Sequence, residues 1–510
     1  MKIVSVAQMR ALEAAAFAAG IGEAALQERA GHAVAQEVFK LVKPGERVVV
    51  LVGHGNNGRD GAVASEWLLG RRVPIDLVLA PRHAITPEEM ARLQERGAST
   101  IVSHDHTRVG ASLRGAGIAV DALAGIGAQG ALREPLASLA RQLNAARHPL
   151  KVVALDIPSG IDSDTGEVPG EGVWADYTVT LGAVKQGLLR FPAAERVGRL
   201  IPKGIGIPEL AKADLPYNCL DTPDLVRLVP ERPLNAHKYG FGRVLVVAGT
   251  DHYLGAAVLC SGGAARVGAG LVTLASTREV RLNTATHLPE VTYTTDDVRA
   301  ADGPEAARSL ESYLRSHPSA IIGPGLGRGQ ATTEFVAEIL RQRPRDRGVV
   351  IDADGLFALA EIDNWPELLG PSAILTPHSG ELERLVGHAL GADEPIWVHA
   401  GRLAQQWGCV LVAKGPFTCI ANPDGRVDVW PRANPALATG GTGDVLAGVT
   451  AGLLAQSLAA WDAARLAVGV HGLAAERIVE TRQWRTLLAS DLLTELPAVL
   501  GSLAQVRARR

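Results

Sequence analysis

With 510 residues, 47% apolar and 21% charged, the chain is too long for one hydrophobic core and has the composition of an ordinary globular protein. A net charge of −3 argues against nucleic acid as the main partner. Met1-Lys-Ile-Val-Ser-Val lacks the apolar core of a signal peptide, no charge-free run has membrane-spanning length, and Cys219, Cys260, Cys409 and Cys419 form no C-x-x-C pair, so a cytoplasmic location with no membrane partner is expected.

Ser5-Val-Ala-Gln8 has the form of a capping box opening a helix that Gly20 closes. Apolar, β-branched runs then recur at 47–53, 75–80, 118–123, 151–157 and 177–182, with helical stretches between them, which predicts a parallel sheet covered by helices. After the first run, Gly53-His-Gly55-Asn56-Asn57-Gly58-Arg59-Asp60-Gly61 reads as a glycine-rich turn leading into a helix over 62–69, a cradle for pyrophosphate in principle. Val120-Asp121 and Leu155-Asp156-Ile-Pro-Ser159 each end a run with an acid beside small residues. Oxygens from Asn57, Asp121 and Ser159 suit a monovalent or hard divalent cation; equally, the acids could cap loops. Six prolines between 201 and 235 mark an irregular junction. A second series follows at 243–249, 271–275, 320–323, 349–352, 373–376 and 409–413, and Asp424-Gly425 turns a hairpin between 418–421 and 426–430. The expected class is α/β with two domains, the second larger.

In the second half, runs end in groups able to do chemistry: Gly249-Thr-Asp-His-Tyr-Leu-Gly255-Ala256, Gly323-Pro-Gly325-Leu-Gly327, Asp352-Ala-Asp354, Thr376-Pro-His378-Ser-Gly-Glu381 and Lys414-Gly-Pro-Phe-Thr418. Ligands of open α/β sheets bind at strand ends of this kind. Asn434-Pro-Ala-Leu-Ala-Thr-Gly440-Gly441-Thr442-Gly443-Asp444 then bares backbone amides where a helix begins, a seat for phosphate, with a carboxylate in its first turn. An anion hole beside a general base suits phosphoryl transfer to a hydroxyl. The plainer possibility is that Asp444 caps the helix.

These strings resemble the ribokinase-like superfamily, and more narrowly the ADP/ATP-dependent NAD(P)H-hydrate dehydratases. The first half, through LQERAG, GHGNNGRDG, VDALAGIG, LDIPSG and LGAVKQG, resembles the NAD(P)H-hydrate epimerases often fused ahead of them. The joint resemblance, to bifunctional NAD(P)H-hydrate repair enzymes, implies a Rossmann-like three-layer sandwich over 1–215, a ribokinase-like α/β domain over 222–505, and two reactions. One interconverts the R and S forms of hydrated NADH and NADPH. The other dehydrates the S form with ADP, giving AMP and phosphate.

By the epimerase pattern Asn56, Asn57, Gly58, Arg59, Asp60, Gly125, Ile126, Gly127, Ala128, Gln129, Gly130, Ala131 and Asp156 would bind the hydrate. Asp156 would also handle protons, and Asn57, Asp121 and Ser159 would coordinate potassium. Arg59 stands where the pattern has a second glycine, so epimerisation would suffer if that glycine serves a positive φ. By the dehydratase pattern Asp444 would be the catalytic base, Ala256, Gly325, His378 and Asp444 would contact the hydrate, and Lys414, Gly415, Pro416, Phe417, Thr418 and Gly443 would bind the nucleotide, with a magnesium ion. The resemblance also implies a homo-oligomer, as in tetrameric relatives. Two other readings stay open: a vitamin-type kinase sharing the GTGD loop, and a catalytically silent first half.

Overall fold

A computed structural model describes residues 1–391, 393–482 and 485–508. The chain divides into two compact units, Met1–Leu215 and Pro216–Arg510.

The first unit is organised by β1 (Ile3–Val4), β2 (Val48–Val52), β3 (Ile75–Leu79), β4 (Ser99–Val102), β5 (Ile118–Ala122), β6 (Lys151–Leu155), β7 (Tyr177–Leu181), β8 (Val184–Lys185) and β9 (Arg199–Lys203). Seven of them form a wholly parallel sheet in the order β4-β3-β2-β5-β6-β7-β9, and β1 pairs with β8 separately. Strand β2 is buried on both faces, and its side chains alternate between two cores: Val48, Val50 and Val52 face one, Val49 and Leu51 the other. Two-sided burial is why this strand reads as an unbroken apolar run. Helix Val6–Ala18 starts at Ser5 with the expected capping box, and Gly20 follows its end at φ +84°. One correction affects the chemistry. The helix after β2 starts at Asn56, with Gly55 as its cap, and not at 62. Asn57 and Asp60 therefore lie three residues apart on one helical face.

In the second unit, β10 (Tyr217–Cys219), β11 (Arg243–Val247), β12 (Leu271–Ala275), β13 (Thr292–Tyr293), β14 (Ser319–Ile322), β15 (Gly348–Ile351), β16 (Ala373–Leu375), β17 (Val410–Ala413), β18 (Cys419–Ala421) and β19 (Val427–Val429) build one sheet. Their order is β10-β19-β18-β17-β16-β15-β14-β11-β12-β13, parallel except for the β17-β18-β19 hairpins. One face carries a large core in which helices Leu254–Arg266, Thr442–Ala455, Ala460–Arg482 and Ala489–Ala508 cover Val244, Val246, Ile321 and Val350. Helix Thr442–Ala455 is apolar nearly all round because it lies inside this layer. The proline-rich stretch after 201 is more regular than expected. It contains the end of β9, all of β10 and helix Thr222–Leu228, which opens with a capping box at Asp221 and Pro223 in its first turn.

Each sheet has a point where the strand order reverses. After β2 the chain lays down β3 and β4 on one side, then returns to place β5 on the other. After β11 it lays down β12 and β13, then returns to place β14. The loops leaving such neighbours diverge and open a crevice at the carboxyl ends of the strands.

Candidate active sites

In the first unit that crevice is a cavity of about 640 Å³. Gly55, Asn56, Asn57 and Asp60 reach it from the helix after β2, and all of Gly125 to Ala131 from the loop after β5. Asp156 reaches it from the end of β6 and Lys185 from β8. Gly58 and Arg59 do not line it. Gly58 instead packs against the backbone of Gly53. Arg59 sits in regular helix, so no positive φ demands a glycine there. Gln27 also lines the wall.

Asp156 has φ +68°, in the left-handed region that a non-glycine residue enters at a cost. Tertiary contacts hold it there. Its Oδ1 accepts from Leu181 N at 3.0 Å, from the Thr180 hydroxyl at 3.3 Å, and from the Lys185 ammonium. Lys185 is 1% exposed, and its Nζ also donates to Leu181 O at 2.8 Å. A buried lysine in such a pair fixes the direction in which the carboxylate points. Lys185 belongs to the LGAVKQG string but had no assigned role; in sequence it lies 29 residues from its partner.

Of the three residues expected to hold a cation, Asn57 lines the cavity, and Asp121 and Ser159 are buried behind its wall. Asp121 is fully buried. Its Oδ2 accepts from Ser159 N at 2.7 Å, and its Oδ1 from Ser159 Oγ at 2.7 Å and Leu123 N at 3.2 Å. Burial pushes its carboxyl up to about 6, with the Ser159 and Leu123 hydrogen bonds pulling the other way. Among the described residues no Lys or Arg pairs with it. Asn57 Nδ2 donates to Ala124 O at 2.9 Å and Leu155 O at 2.8 Å, which leaves its amide oxygen as the end available to a ligand. A buried carboxylate without a protein cation, next to amide and hydroxyl oxygens, fits a hard monovalent ion such as potassium.

In the second unit the reversal point lies between β11 and β14. Gly249 N donates to Pro324 O at 2.8 Å, tying the two loops together. Gly325 has φ +66°, and a Cβ there would stand 3.0 Å from Ala256 Cβ, so two of the expected hydrate contacts are neighbours. The charged groups gather further along the sheet. Lys414, at the end of β17, donates from Nζ to Asp352 Oδ1 at 2.8 Å and lies 3.8 Å from Glu381 Oε2. Gly443 comes so close that a Cβ would be 3.3 Å from Lys414 Nζ and 3.7 Å from Asp352 Oδ2. The Gly415–Thr418 turn beside it closes through Gly415 N to Thr418 Oγ1 at 3.4 Å. Folding thus brings the ends of β15 and β17 and the GTGD turn to one place.

Helix Thr442–Ala455 is capped by Gly441 at φ +88°, with no side-chain capping bond. The capping alternative for Asp444 therefore fails. It occupies the first turn without bonding the free amides. Burial first, then the charges of Asp352, Asp354 and Glu381, push its carboxyl up to about 7 against the pull of Lys414. A carboxyl poised there can accept a proton near neutrality. The preceding loop is stapled by Thr442 Oγ1, which donates to Leu437 O and Thr439 O at 2.9 Å each. His471, buried and pushed down to about 4 by that burial, has its Nε2 3.0 Å from Thr442 O. A neutral imidazole thus donates to the turn from behind. No motif marks His471; its helix only reads as apolar and buried.

The backbone of His378 bridges to that of Lys414, at the edge of the charged cluster. The Nδ1 of His378 accepts from Gly380 N at 3.1 Å and Glu381 N at 3.3 Å, capping helix Ser379–Val386, while its exposed ring lines a small cavity of about 160 Å³ with Arg328, Phe357 and Arg384. The GPGLG loop is linked to this corner by Gly327 N, which donates to Asp354 Oδ2 at 3.0 Å. Asp352, the strand-end carboxylate beside Gly443 and Lys414, is of the hard-oxygen type that would hold magnesium, which would neutralise phosphate charge there. No helix among the described residues is long and apolar enough to cross a membrane.

The chain's relatives agree with this division. A family of NAD(P)H-hydrate dehydratases matches residues 244–498, and the YjeF-related protein N-terminus matches residues 23–187. The bifunctional NAD(P)H-hydrate repair enzyme of Thermofilum pendens is 35% identical, over 99% of this chain and 97% of its own length. Its counterpart in Salinibacter ruber is 36% identical over 94% and 92%. Among solved structures, the ADP/ATP-dependent NAD(P)H-hydrate dehydratase of Bacillus subtilis, co-crystallised with ATP and magnesium, superposes with a TM-score of 0.50 at 35% identity, covering 56% of this chain and 98% of that one. The chain belongs to the family of bifunctional NAD(P)H-hydrate repair enzymes.

Proposed function

We propose that the second unit restores NADH and NADPH from their S hydrates at the expense of ADP, and that the first unit converts R hydrate to S. The observation that carries the dehydratase reading is Asp444, unbonded beside the bare amides of helix Thr442–Ala455 and near Lys414. The hydrate bears a hydroxyl on C6, and hydroxide leaves poorly. Asp444 removes the hydroxyl proton as oxygen attacks the terminal phosphoryl group of ADP. The first-turn amides of Gly443 and Asp444 face the charge that develops on that group. Lys414 and the Gly415–Thr418 turn hold the nucleotide. Electron push from the ring nitrogen then expels phosphate, leaving AMP. Magnesium would neutralise phosphate charge during the transfer.

Ala256, Gly325 and His378 are proposed to contact the hydrate. In the first unit, Asn56, Asn57, Asp60, Gly125 to Ala131 and Asp156 are proposed to seat it, without Gly58 and Arg59, which do not line the cavity. Potassium, on Asn57, Asp121 and Ser159, would supply the charge that Asp121 lacks. By the same family pattern the working form is a cytoplasmic homo-oligomer, which a native mass measurement tests.

The deciding experiment incubates the full-length protein with ADP and pure R or pure S hydrate. Return of dihydronicotinamide absorbance from both substrates supports repair. Accumulation of a stable phosphorylated alcohol would instead mean a kinase. Turnover of S alone would mean that the first unit is silent.

A further inference from the structure

The two carboxylates that share the first unit's cavity are held in opposite ways. Asp156 has the Leu181 amide, the Thr180 hydroxyl and the Lys185 ammonium all on Oδ1. Asp60 lines the same cavity from the helix after β2 and is 7% exposed, and its Oδ1 is buried with no hydrogen-bond donor among the described residues. Lys185, the buried cation of this cavity, is committed to Asp156 and Leu181 O. An ionised Asp60 would be desolvated without compensation, whereas its neutral acid form needs none.

The surrounding charges agree. Burial, then Asp156 and Glu13, push the Asp60 carboxyl up to about 8, against the weaker opposition of Arg59 and Lys185. Glu13, on helix Val6–Ala18, is raised too, first by burial. Arg10, from the same helix, also lines the wall. One cavity therefore holds a carboxyl group without a donor, which favours its neutral acid form, and a second whose Oδ1 has three donors. Two carboxyl groups whose surroundings differ in this way are suited to acid and base roles.

We infer that Asp60 is the general acid of the first unit's reaction, giving a proton to the C6 hydroxyl while Asp156 serves as the base. The inference deepens the epimerase reading and rests on it. Asp60 protonates the hydroxyl, the C6–O bond breaks with its electron pair on oxygen, and water departs. The lone pair of the ring nitrogen forms a cationic C=N bond to C6. Water adds to the opposite face, the C=N pair returns to nitrogen, and Asp156 takes the proton of the incoming water. One water leaves and one enters. Asp60 loses the proton that Asp156 gains, so exchange with solvent resets the pair.

The test uses full-length protein without ADP, so that dehydration is silent, and follows pure R hydrate to S by chromatography in water labelled with heavy oxygen. The wild-type protein is expected to speed inversion and to place one labelled oxygen on C6 per inverted molecule. Asp60→Asn is expected to lose about a hundredfold in kcat with little change in KM, and Asp60→Glu to recover part of it. The wild-type rate should also fall above about pH 8, a limb missing from Asp60→Asn. Inversion without label uptake overturns the inference, and needs no variant. Wild-type kcat in Asp60→Asn, or a rise in KM alone, overturns it too. A wild-type protein no faster than the spontaneous reaction would instead sink the epimerase reading.

Discussion

The two units solve the same placement problem and differ in where they put charge. Each reverses its strand order beside an early central strand and opens a glycine-rich crevice there. In the first unit the ionisable groups are walled in. Asp60, Asp121, Asp156 and Lys185 are all under 8% exposed, inside or beneath one cavity. In the second they are strung along the ends of β15, β16 and β17 around Lys414, with the Gly415–Thr418 turn open to solvent at its start. A reaction confined to one ring can have its protonation states preset by burial. A reaction that must admit a nucleotide keeps an open rim, where the incoming phosphates complete the electrostatics.

The sharpest way to break this comparison is Asp444→Asn. Dehydration of S hydrate should fall by roughly 10²–10⁴-fold while R/S interconversion persists, since proton transfer in the second unit is lost without touching the first. Coupled rate assays with both substrates check this; parallel loss of both activities would deny the units separate sites. Lys414→Met comes next. It removes the cation facing Asp352 and Glu381, so the KM for ADP should rise by about ten- to a hundredfold, as for a lost charge-assisted contact. An unchanged KM would move the nucleotide elsewhere.

Exchanging potassium for a bulky organic cation should slow epimerisation by about tenfold and leave dehydration alone. Protons compete with the cation for Asp121, so affinity should weaken as pH falls below about 6. Calorimetric titration at several pH values reads this directly; flat affinity would remove Asp121 from the site. The smallest effect concerns stability. Asp60 ionises near 3.8 when unfolded but near 8 in the fold. Between those values the folded state holds the extra proton, so the first unit should lose stability as pH rises through the window. Asp60→Asn should flatten that dependence in urea unfolding; an unaltered slope would mean that Asp60 is ionised in the fold.

Of the six strands that escaped sequence reading, β1 and β8 are only two residues long. The other four are sheet edges: β4 and β9 in the first sheet, β10 and β13 in the second. An edge strand is buried less completely and need not be an unbroken apolar run, as Ser99–Val102, with two exposed residues, shows. The central strands, covered on both faces, announce themselves. The glycine-rich turn after β2 was misread for a related reason: a helix whose first turn is Asn-Asn-Gly-Arg carries no helical apolar period, and tertiary packing sets its start at Asn56.

The sequence by itself determined the two α/β layers, the order of the central strands' loops, and which residue types end each strand, because two-sided burial and turn chemistry are written in local composition. Only the tertiary structure paired Lys185 with Asp156 and Lys414 with Asp352, set His471 behind Thr442, and left Asp60 without a donor. Charge state depends on desolvation and on partners brought from distant parts of the chain, and neither is a property of spacing along it.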